Sequence, residues 1–275
     1  MFEGKHINKI YFKYYSGTTA ETRNAVKNTA VEFLRRLGKN SAFINGYTFS
    51  IVNEYKDLSS DTQWKRYLKN NSDKYTNTWG VSNPTVIDEE KGIIIQAKEH
   101  SFPRSIFHRN IDVKLLETAT LHEIGHIFDN YYGNKDKNLI KEVRKLHISN
   151  DKLTEAQQKM LNKYLRSKDL SDSTEYKQAW LKDASALGKD KNKYKEFKRD
   201  DIRKYYAIED IDITDGITSQ EVEKADKSRS EIFAQLFAYA LGRDDGHKDE
   251  IIRVYPNTYK FVKAHIKKLL NINCN

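Results

Sequence analysis

His122, Glu123 and His126 stand in the pattern His-Glu-x-x-His, inside the run Thr118-Ala-Thr-Leu-His-Glu-Ile-Gly-His-Ile-Phe-Asp129. The run reads as helix, and side chains four residues apart on a helix lie one above the other on one face. Two imidazoles so placed can hold one zinc ion, and the acid between them can take a proton from a water on that ion. By chance the pattern occurs in on the order of one in a hundred chains of this length, so its surroundings have to support it.

A catalytic zinc takes three protein ligands and keeps one position for water. A continuation of the motif as His-x-x-Gly-x-x-His would require Gly at 129 and His at 132, and the chain has Asp129 and Tyr132. The third ligand therefore lies elsewhere. Glu231 is the first candidate, because it opens the apolar run Glu-Ile-Phe-Ala-Gln-Leu-Phe-Ala, and an acid on the inward side of such a helix needs a cation or hydrogen-bond donors. Ala234 and Ala238 would let the motif helix approach closely. Glu142, sixteen residues past His126 in a Lys-rich stretch, is the second candidate. Asp129, three residues past His126, is placed to accept the second ring N–H of a ligating His.

The elements that must position these groups follow from the patterning. The chain has 275 residues, 38% hydrophobic, 12% aromatic and 32% charged, with three Pro and 12 Gly. These values fit a helix-rich α+β protein and argue against disorder. One Cys, Cys274, excludes an internal disulfide. No stretch approaches the ~18 apolar residues of a membrane span, and residues 1–6 lack the basic-then-apolar order of a signal peptide.

Residues 7–15 read as a strand, and Thr18-Thr-Ala-Glu21 as a capping box opening a helix that Gly38 stops. Asn45-Gly46 marks a turn, after which Tyr47, Phe49 and Ile51 alternate with polar residues as a second strand. A helix is expected over 61–69 and irregular chain over 74–84. Residues 85–87 and 92–96 are expected to form a hairpin, with 92–98 as a sheet edge above the motif helix. The motif helix is expected over 111–132, Lys-rich helices over 134–204, and a loop over 205–227. A helix with Ser230 as N-cap then runs to Leu241, and an amphipathic helix follows over 256–270.

This is one domain: a β/α lobe (1–110), the motif helix (111–133), a basic helical segment and insert (134–229) and C-terminal helices carrying the third ligand (230–275). The net charge of +9 belongs to one segment: residues 135–204 hold 20 Lys and Arg against 12 Asp and Glu, and the rest of the chain 28 against 27. The segment could dock an acidic partner, membrane headgroups or nucleic acid, and it carries no nucleic-acid motif; the partner expected of a zinc peptidase is a protein or peptide substrate, with a monomer as default.

The run His-Glu-Ile-Gly-His-Ile-Phe-Asp, the helix from Glu231, and Tyr-Pro-Asn-Thr-Tyr-Lys-Phe-Val ending at Val262 together resemble the catalytic domains of anthrax lethal factor-like zinc peptidases and the related clostridial Pro-Pro endopeptidases. The likeness covers most of the chain and fails over 189–227. It implies a zincin-like (gluzincin) fold with a small N-terminal mixed sheet. It also implies one Zn2+ held by His122, His126 and Glu231, with Glu123 as general base. The function implied is that of a zinc endopeptidase, a bacterial toxin or effector secreted or delivered to a specific protein substrate. A cytoplasmic protein is the alternative in the absence of a signal peptide.

Two positions depart from the family. Its second Glu in the ligand helix is Gln235, expected behind the ligands, and its oxyanion-stabilising Tyr is Lys224, which leaves Tyr205 or Tyr206 to fill that role. The readings that stand beside the peptidase are a degenerate relative serving as a binding or structural module, and a basic binding protein in which the motif is accidental.

Overall fold

In a computed structural model, residues 9–53, 58, 80–83, 92–96, 113–133, 154, 169–189 and 226–274 are described. They form a four-stranded sheet and a set of helices, a helix-rich α+β arrangement.

Strand β1 is Tyr11–Tyr14, β2 Thr48–Val52, β3 Gly80–Asn83 and β4 Gly92–Gln96. Their order across the sheet is β1-β2-β4-β3. β1 and β4 both pair parallel with β2, and β3 runs antiparallel to β4. Phe49, Ser50, Ile51 and Val52 are all buried, as is the whole of β4. A strand with neighbours on both sides and cover on both faces has no reason to alternate. The alternation expected of β2 therefore gives way to an almost continuous buried run.

Two expectations are corrected here. The strand that pairs with β4 is 80–83, inside the stretch expected to be irregular, while 85–87 lies outside the described residues. The expected edge, 92–98, is interior from 92 to 96, and among the described residues the strand that ends the sheet beside β4 is β3.

Helix α1 (Ala20–Leu37) is capped by Thr19, whose hydroxyl accepts the Thr22 N–H at 3.2 Å. Thr18, expected to share in the cap, instead donates to the Tyr15 carbonyl and accepts from Arg23. Ala25, Val26, Thr29, Ala30, Phe33 and Leu37 form the buried stripe, at the spacing a helix requires. Gly38, at φ 53, ends the helix in a conformation that β-carbon-bearing residues resist.

The motif helix α2 (Val113–Tyr132) packs against α1, β3 and β4 and, most extensively, against α4 (Asp226–Ala240). Residues 232–241 of α4 and the loop after it are buried without exception. Phe128 of α2 lies between Phe233 and Phe237 of α4, with ring centroids 6.2 and 5.0 Å away. Helix α3 (Thr174–Lys189), α5 (Lys248–Val254) and α6 (Pro256–Leu270) complete the described helices. Pro256 is preset for the first helical position, and the fourteen residues after it keep Thr258, Val262, Ile266 and Leu270 inward, close to the expected pattern. Trp180 of α3 is fully buried and Leu181 partly so. The helices expected over 61–69, around Val143 and around Met160 lie outside the described residues.

Candidate metal centre

α2 and α4 touch where both are smallest. A Cβ added to Gly125 would stand 2.9 Å from the Ala234 Cα and 3.1 Å from its carbonyl oxygen. Gly125 sits between the two His of the motif, so their helix turn lies directly on α4. The Ala234 contact follows the sequence reading. The need for glycine at 125 was not read from the sequence, although a glycine inside an otherwise apolar helix is a legible signal of close approach.

At this crossing the two helices bring three ligand atoms together. His122 Nε2 lies 3.1 Å from His126 Nε2 and 3.1 Å from Glu231 Oε2, and His126 Nε2 lies 3.5 Å from the same oxygen. With metal–ligand bonds of about 2.0–2.1 Å, ligand atoms at the corners of a tetrahedron stand roughly 3.3 Å apart. The observed separations are those of one tetrahedral face. Two imidazoles and one carboxylate are also a donor set that zinc accepts. Among the described residues this is the group of His, Cys, Asp and Glu side chains able to share an ion. Glu142, the second candidate, lies outside them.

The charges support the same grouping. Burial opposes ionisation of Glu231, but His126 and His122 hold its carboxyl far below the usual carboxylate range. Burial likewise works against a charged His126, yet Glu231 and, more weakly, Glu123 and Asp129 raise it to about 9. Negative charge is thus concentrated where a cation is wanted. Glu123, the next residue after His122 in α2, is 5% exposed.

Behind the ligands, Gln235 stands where it was expected and Asp129 does not. His122 Nδ1 meets Gln235 Oε1 at 2.9 Å, as a residue behind the ligands should. His126 Nδ1 meets Ser230 Oγ at 3.2 Å. Ser230 is not an N-cap, because α4 already begins at Asp226 and carries Ser230 inside its second turn. Asp129 does not hold a ligand ring. Its Oδ1 accepts the Ser171 N–H and its Oδ2 the Ser171 hydroxyl, each at 2.7 Å.

That bond still reaches the site by another road. Ser171 belongs to the short turn Leu170–Asp172. Arg229, 1% exposed, donates to the Ser171 carbonyl at 3.4 Å and pairs with Asp172 at 2.9 Å. Asp129 therefore ties α2 to a turn that grips α4 two residues before Glu231. Burial, and secondarily the Asp172 charge, raise Asp129 well above the ordinary carboxylate range despite its Ser171 bonds. Asp169, bonded to Asn130, is raised by burial and then by Asp129 and Asp172. Nothing in the sequence pointed to Ser171 or Arg229, since their partners lie 42 and 58 residues apart along the chain.

Tyr205, Tyr206 and Lys224 lie outside the described residues. His265, which lacks ligand spacing in the sequence, stacks on Phe261 with ring centroids 3.9 Å apart. Among the described residues no helix is long and apolar enough to cross a membrane. Comparison with protein families and with curated proteins returns no match.

Proposed function

We propose that the chain is a zinc-dependent endopeptidase in which His122, His126 and Glu231 hold the metal and Glu123 is the general base. One observation carries this reading: three ligand atoms from two helices, 3.1–3.5 Å apart, form a tetrahedral face beside a buried glutamate. When bound, zinc would acidify a water toward pKa ~7 and polarise the scissile carbonyl.

The chain's own groups supply the rest. Glu123 follows His122 directly in α2, so its carboxylate takes the proton of the attacking water and passes it to the departing amine. The Nδ1 partner Gln235, an amide oxygen, leaves the Nε2 lone pair of His122 to face the metal, and the Ser230 hydroxyl meets Nδ1 of His126. β3 contacts α2 and, among the described residues, ends the sheet on that side. An extended peptide that hydrogen-bonds to the outer side of β3 would be held along the motif helix. By resemblance to the lethal factor-like domains, the substrate is a specific protein, and the chain a bacterial toxin or effector.

The test joins metal and cleavage. Metal analysis is expected to find one zinc per native chain and none in His122→Ala. A peptide library incubated with native protein and with Glu123→Gln should give cleavage in the first alone. A native protein without zinc, or with cleavage unchanged in Glu123→Gln, removes this function.

A further inference from the structure

The site contains a chain of hydrogen bonds that extends well past the ligands. Gln235 Nε2 donates to Asp245 Oδ2 at 2.9 Å. Asp245 Oδ1 in turn accepts the Tyr239 hydroxyl at 2.8 Å and the His247 N–H at 3.1 Å. Asp245 lies in the loop between α4 and α5, after Gly242. An amide side chain has one accepting and one donating end, and which way it points is set by its neighbours. A carboxylate accepts only. With Asp245 on one side, the Gln235 NH2 must face it, and Oε1 must face His122. An oxygen facing Nδ1 requires a proton on Nδ1.

We infer that Asp245 is a positioning residue for the metal centre: acting through Gln235, it fixes the proton of His122 on Nδ1 and so turns the Nε2 lone pair toward the ligand point. The inference rests on the zinc reading for its consequence, but not for its geometry. A glutamine against a ligand His is by itself a neutral partner. With a carboxylate behind it, the amide is polarised, so the ring N–H meets a more negative oxygen than an isolated amide would offer. The negative charge that a glutamate at 235 would place on the ring is thus kept one side chain further back. Tyr239 donates its hydroxyl to that carboxylate and also lies against Gln235. Burial, and then the charge of Asp245, keep its phenol protonated and donating.

The experiment reads the proton first and the metal second. In metal-free protein labelled with 15N in its His side chains, two-bond proton–nitrogen correlations show which nitrogen of His122 is protonated. The native chain is expected to show a slowly exchanging Nδ1–H. Asp245→Ala and Asp245→Asn are expected to lose that slow exchange, and to bind zinc about 10–100-fold more weakly in competition with a chelator. Gln235→Glu combined with Asp245→Asn places a carboxylate directly on the ring N–H with an amide donor behind it, and should recover native zinc affinity to within a few fold. An unprotonated Nδ1 in the native chain overturns the inference. So do Asp245 variants that keep both the slow Nδ1–H and native zinc affinity. A native chain with the expected Nδ1–H that is lost in Asp245→Ala, but with no zinc uptake, would retain the positioning and remove the zinc reading instead.

Discussion

Two regions anchor α4 to the motif helix, and they do it by opposite means. On one side of the crossing, a line of neutral and singly charged groups runs from His122 through Gln235 to Asp245 and Tyr239. On the other, three carboxylates of Asp129, Asp169 and Asp172 crowd around the Ser171 turn and one buried guanidinium, that of Arg229. The first region has a partner for each donor and acceptor in a row, so its effect is directional: it says where a proton sits. The second sets crowded acids, two of them raised toward their protonated forms, against Arg229 and Lys177, so its effect is positional: it holds the first turns of α4, which carry Glu231. Chemistry and placement are thus separated on the two sides of the Gly125–Ala234 contact.

The sharpest way to break this contrast is Arg229→Met. Removing the cation leaves Asp172 with Lys177 alone, 3.8 Å away, and breaking a buried pair costs up to about 3–5 kcal/mol. Urea unfolding of the metal-free protein should show a loss of that size, whereas Asp245→Ala should shift zinc affinity far more than stability. Equal stability losses in the two variants would dissolve the distinction. Gly125→Ala strikes the point the regions share. Its methyl meets backbone that cannot swing aside, and overpacking of this kind costs about 1–3 kcal/mol. Melting temperature and zinc affinity should fall together.

A more gradual effect separates the regions by pH. Asp129 is raised from 3.8 to about 7 in the folded chain. For an acid, a raised folded pKa means the folded state holds its proton more tightly. The associated stability is complete below the unfolded value and is lost as pH rises through about 7. In the metal-free protein the loss amounts to roughly 1.4 kcal/mol per pH unit inside that window. Denaturant midpoints across the window should show this slope, and Asp129→Asn should flatten it. The smallest expected effect belongs to Ser230→Ala. It removes one neutral hydrogen bond to His126, about 0.5–1.5 kcal/mol, and should weaken zinc binding less than Asp245→Ala does. A larger loss than at Asp245 would reverse the roles assigned to the two rings.

What the sequence made legible was local. The motif helix and α6 follow from periodicity and the Pro256 signal, and Glu231 from the anomaly of an acid opening an apolar helix. What it hid was long-range. Asp129 was expected on a ligand ring because helix spacing puts it near His126, but Ser171 offers two donors from 42 residues away and a better fit. Ser230 has the residue type of a cap, yet α4 starts four residues earlier, and its hydroxyl is used on His126 instead. β3, Gly-Val-Ser-Asn, has little strand propensity of its own, and its pairing with β4 defines it. β4 reads as an edge only if that partner goes unseen. Asp245 lies in a polar Arg-Asp-Asp-Gly loop in which no single acid stands out.

Asp183 of α3 shows the same physics away from the site. Its carboxylate accepts the backbone N–H groups of Asn257 and Thr258 and both of their side chains. The first amides of a helix have no partner within it and ordinarily face water. Here a buried acid from another element closes them off. Hydrogen exchange at Asn257 and Thr258 should therefore be slow, governed by opening of the α3–α6 contact, so that the first turn of α6 is released only when the helix parts from α3 and does not fray from its start.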